Sequence, residues 1–253
     1  MTVKEIYSRF EKLLPPSLME EWDNDGLMCV PDGEKEISRV LVSLDVTEEI
    51  VDYAIESNFD LIVSHHPLIF RPVSRINEDN HVSRKIIKLV ANGISVFSFH
   101  SRADKAVGGV NDLLANLLGI FDTTPFGEGD LGRIGTIEES CTAEDFAYRV
   151  KQALGADSVK YVDALTEVNQ VAVVGGDGKD FVKDAIKAGA DTLVSGRLSY
   201  NVMAEGPEMG INLIEAGHFF TEQPIVDFFC ERLMDFDSVL YVERAVSNLL
   251  KEL

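Results

Sequence analysis

Apolar and polar positions fall into two alternating patterns along the chain: short solid apolar runs, and longer stretches with apolar residues at helical spacing. Residues 39–46, Arg39 to Val46, read as a buried strand, and Thr47 stands where a following helix needs an N-cap. The apolar run 60–66 ends in Ser64-His65-His66. Helical spacing over 82–92 stops at Gly93, a candidate C-cap, and the strand 94–99 closes on His100. The pattern is helical again over 111–118 and 143–154, strand-like over 169–174, and helical over 180–189. Short strands are predicted at 191–194 and 211–214, and a last helix near Thr221 with Pro224 in its first turn. Strand and helix alternate, which predicts an α/β fold with mixed, largely parallel sheets. Pro125, Gly127, Gly129, Gly132 and Gly135 cluster within 121–136, a candidate domain boundary.

Four of the five histidines take related positions in this pattern. His65 and His66 end one predicted strand. His100 ends the next, with Asp104 four residues on. His218 follows the strand at 211–214, with Glu222 four residues beyond. Each element has a plainer reading: a surface histidine pair, a hydrogen bond at a helix start, a side-chain pair across one helical turn. Ligands of open α/β sheets, however, bind outside the carboxyl ends of the strands. Several strands thus deliver imidazole and carboxylate to strand ends, and that donor mixture suits zinc, iron or manganese. A clustered metal site is the expectation.

Composition narrows the partners. The 253 residues carry 23 Lys+Arg against 43 Asp+Glu, a net charge of −20. Such a chain repels phosphate backbones and anionic membranes, and its basic residues look scattered, so duplex nucleic acid is disfavoured and a cation favoured. Length predicts one large domain or two small ones. The three cysteines form no CxxC pair, which argues against a thiolate zinc site and for free thiols in a reducing interior. No apolar run approaches the ~20 residues of a membrane span, and the polar start does not read as a signal peptide. A soluble, cytoplasmic protein is expected. Gly175-Gly176-Asp177-Gly178 fits neither dinucleotide nor Walker patterns, and no serine or cysteine has a nucleophile-elbow context.

The sequence also resembles a known family. Ser64-His65-His66-Pro67-Leu68-Ile69-Phe70, Trp22-Asp23-Asn24-Asp25-Gly26-Leu27, His100-Ser101-Arg102-Ala103-Asp104 with Gly108-Gly109-Val110-Asn111-Asp112, and Gly217-His218-Phe219-Phe220-Thr221-Glu222 are similar to motifs of the NIF-three-like proteins, the GTP cyclohydrolase 1 type 2 homologues. The resemblance implies two divalent transition-metal ions per chain, held by His65, His66, Asp104, His218 and Glu222. His100 would be a further ligand or a positioning group. It implies two interleaved α/β domains, the first from 1–124 plus 216–253 and the second from 125–215, with the metal site at strand C-terminal ends. It further implies a homohexamer. Ser195-Gly196-Arg197 departs from the family pattern, where an acidic residue commonly follows the glycine, and Ser101 replaces a common threonine.

The function expected on these grounds is a metal-dependent hydrolase acting on a nucleotide or related small molecule. The alternative is a non-catalytic metal-binding, metal-delivery or regulatory scaffold protein, since fold and metal site do not fix a reaction. Glu222 is expected to bridge the two ions, from the first turn of a helix capped by Thr221.

Overall fold

The apolar runs at 39–46 and 60–66 lie side by side as parallel strands, Val40 against Leu61 and Ser43 against Ser64. The computed structural model describes residues 1–246; the end of the expected 216–253 segment, residues 247–253, lies outside the described residues. The described residues divide into two units: Met1–Ala103 together with 225–246, and Asp104–Pro224. In chain order the first unit contains α1 (Val3–Leu13), β1 (Gly26–Cys29), β2 (Arg39–Ser43), α2 (Glu48–Glu56), β3 (Leu61–Ser64), α3 (His81–Ala91) and β4 (Ser95–Ser98). The short helix α4 (Ser101–Lys105) carries the chain into the second unit. There follow α5 (Val110–Leu117), β5 (Ile120–Phe126), β6 (Gly132–Cys141), α6 (Ala143–Leu154), β7 (Lys160–Val162) and β8 (Val168–Asp177). Next come α7 (Val182–Ala188), β9 (Thr192–Arg197), α8 (Tyr200–Met209), β10 (Asn212–Glu215) and α9 (His218–Glu222). The chain then returns to the first unit as α10 (Pro224–Phe236) and β11 (Tyr241–Arg244).

The first unit holds a five-stranded sheet in the order β1-β4-β3-β2-β11, parallel except for β1. Leu41, Ile62 and Val96 pack with Ile50 and Val51 of α2 and Leu89 of α3. An aromatic cluster joins other elements: Phe10 of α1 lies 4.9 Å from Phe99 and 5.9 Å from Phe229 of α10, ring centre to ring centre. Helix α1 opens on a capping box, Thr2 accepting from the Glu5 amide while Glu5 accepts from the Thr2 amide. Thr47 caps α2 through the Ile50 amide, as its position predicts.

The second unit holds a six-stranded sheet in the order β5-β6-β8-β9-β10-β7. Only β8, β9 and β10 run parallel; the pairs at either side are antiparallel. The largely parallel expectation therefore describes the first sheet and only the middle of the second. Side chains alternate across this middle. Val171, Val173, Val194 and Ile214 pack with α5 and α6, whereas Ala172, Val174, Leu193 and Leu213 pack with residues of α7 and α8. Both faces are covered, so these strands read as solid apolar runs rather than as alternating ones. The Gly/Pro cluster at 121–136 forms the β5–β6 hairpin inside this unit, turning at Gly127 with φ +83°.

The end of the second unit differs from the expected single helix. Two helices replace it, α9 ending at Glu222 and α10 starting at Pro224. Proline lacks the amide that would continue the first helix and suits the opening turn of the second. Among the described residues no helix is long and apolar enough to cross a membrane.

Candidate metal centre

The parallel ladder of the first unit fixes the backbone of both adjacent histidines. The His66 amide donates to the Leu44 carbonyl (2.9 Å) and the Phe99 amide to the Ser64 carbonyl (2.9 Å), extending the ladder past the ends of β2, β3 and β4. Ser64 Oγ donates to the His66 carbonyl at 3.0 Å and meets Ser98 Oγ at 2.8 Å. His65, His66 and His100 thereby come together: one ring nitrogen from each lies within 4.8 Å of the others. His65 is fully buried, and the other two are half-buried.

Each ring is turned by a partner at Nδ1. His65 Nδ1 lies 3.0 Å from the Phe99 carbonyl, His66 Nδ1 2.8 Å from Asp45 Oδ1, and His100 Nδ1 2.9 Å from Asp23 Oδ1. A carbonyl or carboxylate only accepts, so Nδ1 carries the proton in all three. In the neutral ring the lone pair then sits on Nε2, the tautomer a metal requires, and a partner on the other nitrogen is the usual companion of a metal-binding imidazole. The donor set fits a divalent transition metal.

Asp23 does more than turn one ring. Its other oxygen accepts from the Ser101 amide (3.0 Å) and the Ser101 hydroxyl (2.6 Å). Burial opposes its charge, yet the bonds from His100 and Ser101 outweigh burial and hold the carboxyl well below the usual carboxylate range. Two residues on, Asp25 pairs with the buried Arg102 at 2.7 Å, and Arg102 also donates to the Leu14 carbonyl at 3.0 Å. Around His100 stand Trp22 and Phe70, with ring centres 5.9 and 6.0 Å away, both edge-on.

The second unit places the remaining candidates. His218 opens α9 and Glu222 closes it, and His218 Nε2 lies 2.9 Å from Glu222 Oε2. Glu222 is 4% exposed and Asp104 8%. The Asp104 backbone is tied by Asn111, whose side chain donates to the Asp104 carbonyl (3.2 Å) and accepts from the Gly175 amide (2.8 Å). Glycines near the ends of β8 and β9 make room for α9. A Cβ on Gly176 would come within 2.2 Å of Glu222 Oε1, and one on Gly196 within 2.5 Å of Thr221 Oγ1.

One expectation is corrected here. Thr221 is not a cap: it lies inside α9, its hydroxyl bonded to the His218 carbonyl (2.9 Å) and accepting from the Gly176 amide (3.2 Å). Glu222 accordingly stands at the end of a short helix, where no exposed first-turn amides stabilise its charge. Arg197 is exposed at the end of β9. Sequence reasoning missed Asp45. The signal was present, because Asp45 follows β2 as His66 follows β3, and the strand-end rule applies to carboxylates as it does to histidines.

Known proteins resemble the chain along most of its length. The family model Duf34/NIF3 (NGG1p interacting factor 3) matches residues 1–251. A Clostridium perfringens protein named GTP cyclohydrolase 1 type 2 homolog is 37% identical over 242 residues, covering 93% of this chain and 92% of its own. Among solved structures, the Staphylococcus aureus hypothetical protein SA1388 superposes with a TM-score of 0.90 at 25% identity, covering 100% of this chain and 99% of its own. Reduced HcgD from Methanocaldococcus jannaschii does so with a TM-score of 0.85 at 27% identity, covering 96% and 97%.

Proposed function

The chain belongs to the Duf34/NIF3 family, and we propose that it is a metal-dependent hydrolase acting on a nucleotide or related small molecule. One observation carries the reading: three imidazoles converge, each with Nδ1 committed to an acceptor. His65, His66, Asp104, His218 and Glu222 are the proposed ligands of two divalent ions, with His100 as a further ligand or positioning group. When bound, such ions supply Lewis acidity and lower the pKa of water. The protein's own contribution is orientation. Asp45, Asp23 and the Phe99 carbonyl keep three rings in one tautomer, so little reorganisation is needed when a ligand or proton arrives. The nucleotide comes from the name of the Clostridium perfringens relative. A homohexamer is proposed on the family resemblance, and light scattering tests it: a 28 kDa species at micromolar concentration rejects it.

Elemental analysis after reconstitution with zinc, iron or manganese tests the metal assignment. The expected content is about two ions per chain, falling in His66→Ala and Glu222→Gln. Content that never exceeds one ion rejects the dinuclear centre. Turnover of GTP or a phosphoester that disappears in folded, Asp104→Ala protein supports the enzyme. Tight metal without turnover of any of them assigns the protein to metal binding or delivery instead.

A further inference from the structure

Between the loop that follows His66 and the start of α3 lies a cavity of about 500 Å³, within the first unit. That is the size range of small-molecule sites. In a chain of net charge −20, it is lined by Arg71, Arg75 and Lys85. The sequence disperses these cations over fifteen residues, which hides the patch; the loop folding back onto α3 assembles it. Their neighbours Arg84 and Lys88 are neutralised by Glu48 and Asp52 at 2.6 and 2.5 Å. Arg71 and Arg75, by contrast, meet no carboxylate at ion-pair distance among the described residues. Arg71 lies over the Phe70 ring at 4.9 Å, and Lys85 donates to the Val46 carbonyl. The loop's own carboxylates, Glu78 and Asp79, are exposed and absent from the lining.

Phe70 joins this cavity to the histidines. It lines the cavity and stands edge-on to His100, and Trp22 lies 6.4 Å from it, ring centre to ring centre. Trp22 is 55% exposed although aromatic. We propose that the cavity receives the phosphate groups of a nucleoside polyphosphate, with Arg71, Arg75 and Lys85 as their counter-charges and Trp22 and Phe70 beside the base. Arginine suits the task through its planar fork of donors, and aromatic faces stack bases of any identity. Only the placing of the ligand's reacting end at the histidines rests on the hydrolase reading; the phosphate site does not.

Trp22 is the single tryptophan, so its fluorescence reports on this site. The test titrates chelator-treated, metal-free protein with inorganic triphosphate, GTP and guanosine, with calorimetry as a second readout. Triphosphate and GTP are expected to bind competitively, and guanosine at least about tenfold more weakly. The double variant Arg71→Gln/Arg75→Gln, altered only at exposed positions, is expected to weaken triphosphate at least about tenfold at unchanged melting temperature. Equal binding to wild type and double variant overturns the proposal, as does absence of triphosphate binding at millimolar concentration. A single-stranded oligonucleotide that displaces triphosphate at lower concentration also overturns it, in favour of a nucleic-acid groove. Metal content of the wild-type protein after reconstitution is measured in parallel. Failure to load metal with triphosphate binding intact rejects the hydrolase reading and supports the phosphate site.

Discussion

Asp23 concentrates more of the site's order than any candidate ligand. Its carboxylate is fully buried and holds both the His100 ring and the first turn of α4 through three bonds. An amide of the same shape offers one acceptor oxygen, so Asp23→Asn turns an NH2 toward either His100 or Ser101. The expected cost is about 1–3 kcal/mol of stability, measured by denaturant unfolding. If the proposed role of His100 holds, metal affinity falls ~10–100-fold as well, measured by competition with a chromophoric chelator. A lower stability with unchanged metal affinity assigns Asp23 to folding alone.

Among the elements, α9 depends on space that only glycine leaves. Gly176 has φ +65° and its missing Cβ would strike Glu222, whereas Gly155 has φ +62° with nothing within 4 Å. The two share the backbone strain that an alanine would feel, and they differ in the collision. Gly155→Ala should cost about 1 kcal/mol. Gly176→Ala should cost more, up to roughly 3 kcal/mol, and, with Glu222 as a proposed ligand, should also reduce metal uptake, a loss that Gly155→Ala lacks. Calorimetric melting with metal analysis checks both. No composition signal marked this difference, and the same holds for several elements. The strands β2, β3, β4, β8, β9 and β10 were legible because helices or chain cover both faces. The edge strands β1, β7 and β11 were not, since exposure breaks their apolar pattern. The β5–β6 hairpin was hidden for another reason: glycine and proline mark a tight turn and a domain boundary alike. The candidate ligands were legible because histidine is scarce and strand ends are special; their Nδ1 partners were not, because Asp23 and Asp45 lie 77 and 21 residues from the rings they turn.

The whole molecule is built from one continuous unit and one discontinuous unit, the latter drawing on chain from both sides of residues 104–224. The continuous unit has two core clusters of its own, one on each face of its six-stranded sheet. At roughly 120 residues it lies in the usual range for independent folding. A fragment of residues 104–224 is therefore expected to unfold cooperatively in denaturant, with slowest amide exchange in β8 and β9. A fragment with no cooperative transition shows that its core needs the rest of the chain.

The discontinuous unit carries a burden in time. Strand β2 pairs on one side with β3 and on the other with β11, Arg39 against Tyr241. The ribosome delivers those partners roughly 200 residues apart, which at about 5–20 residues per second means roughly 10–40 s. Throughout that interval the nascent first sheet presents the unpaired backbone of Val40 and Val42, the kind of open edge that recruits foreign strands. A translation product cut short anywhere in the second unit never receives β11, so its β2 edge stays open to the same recruitment for as long as the fragment survives.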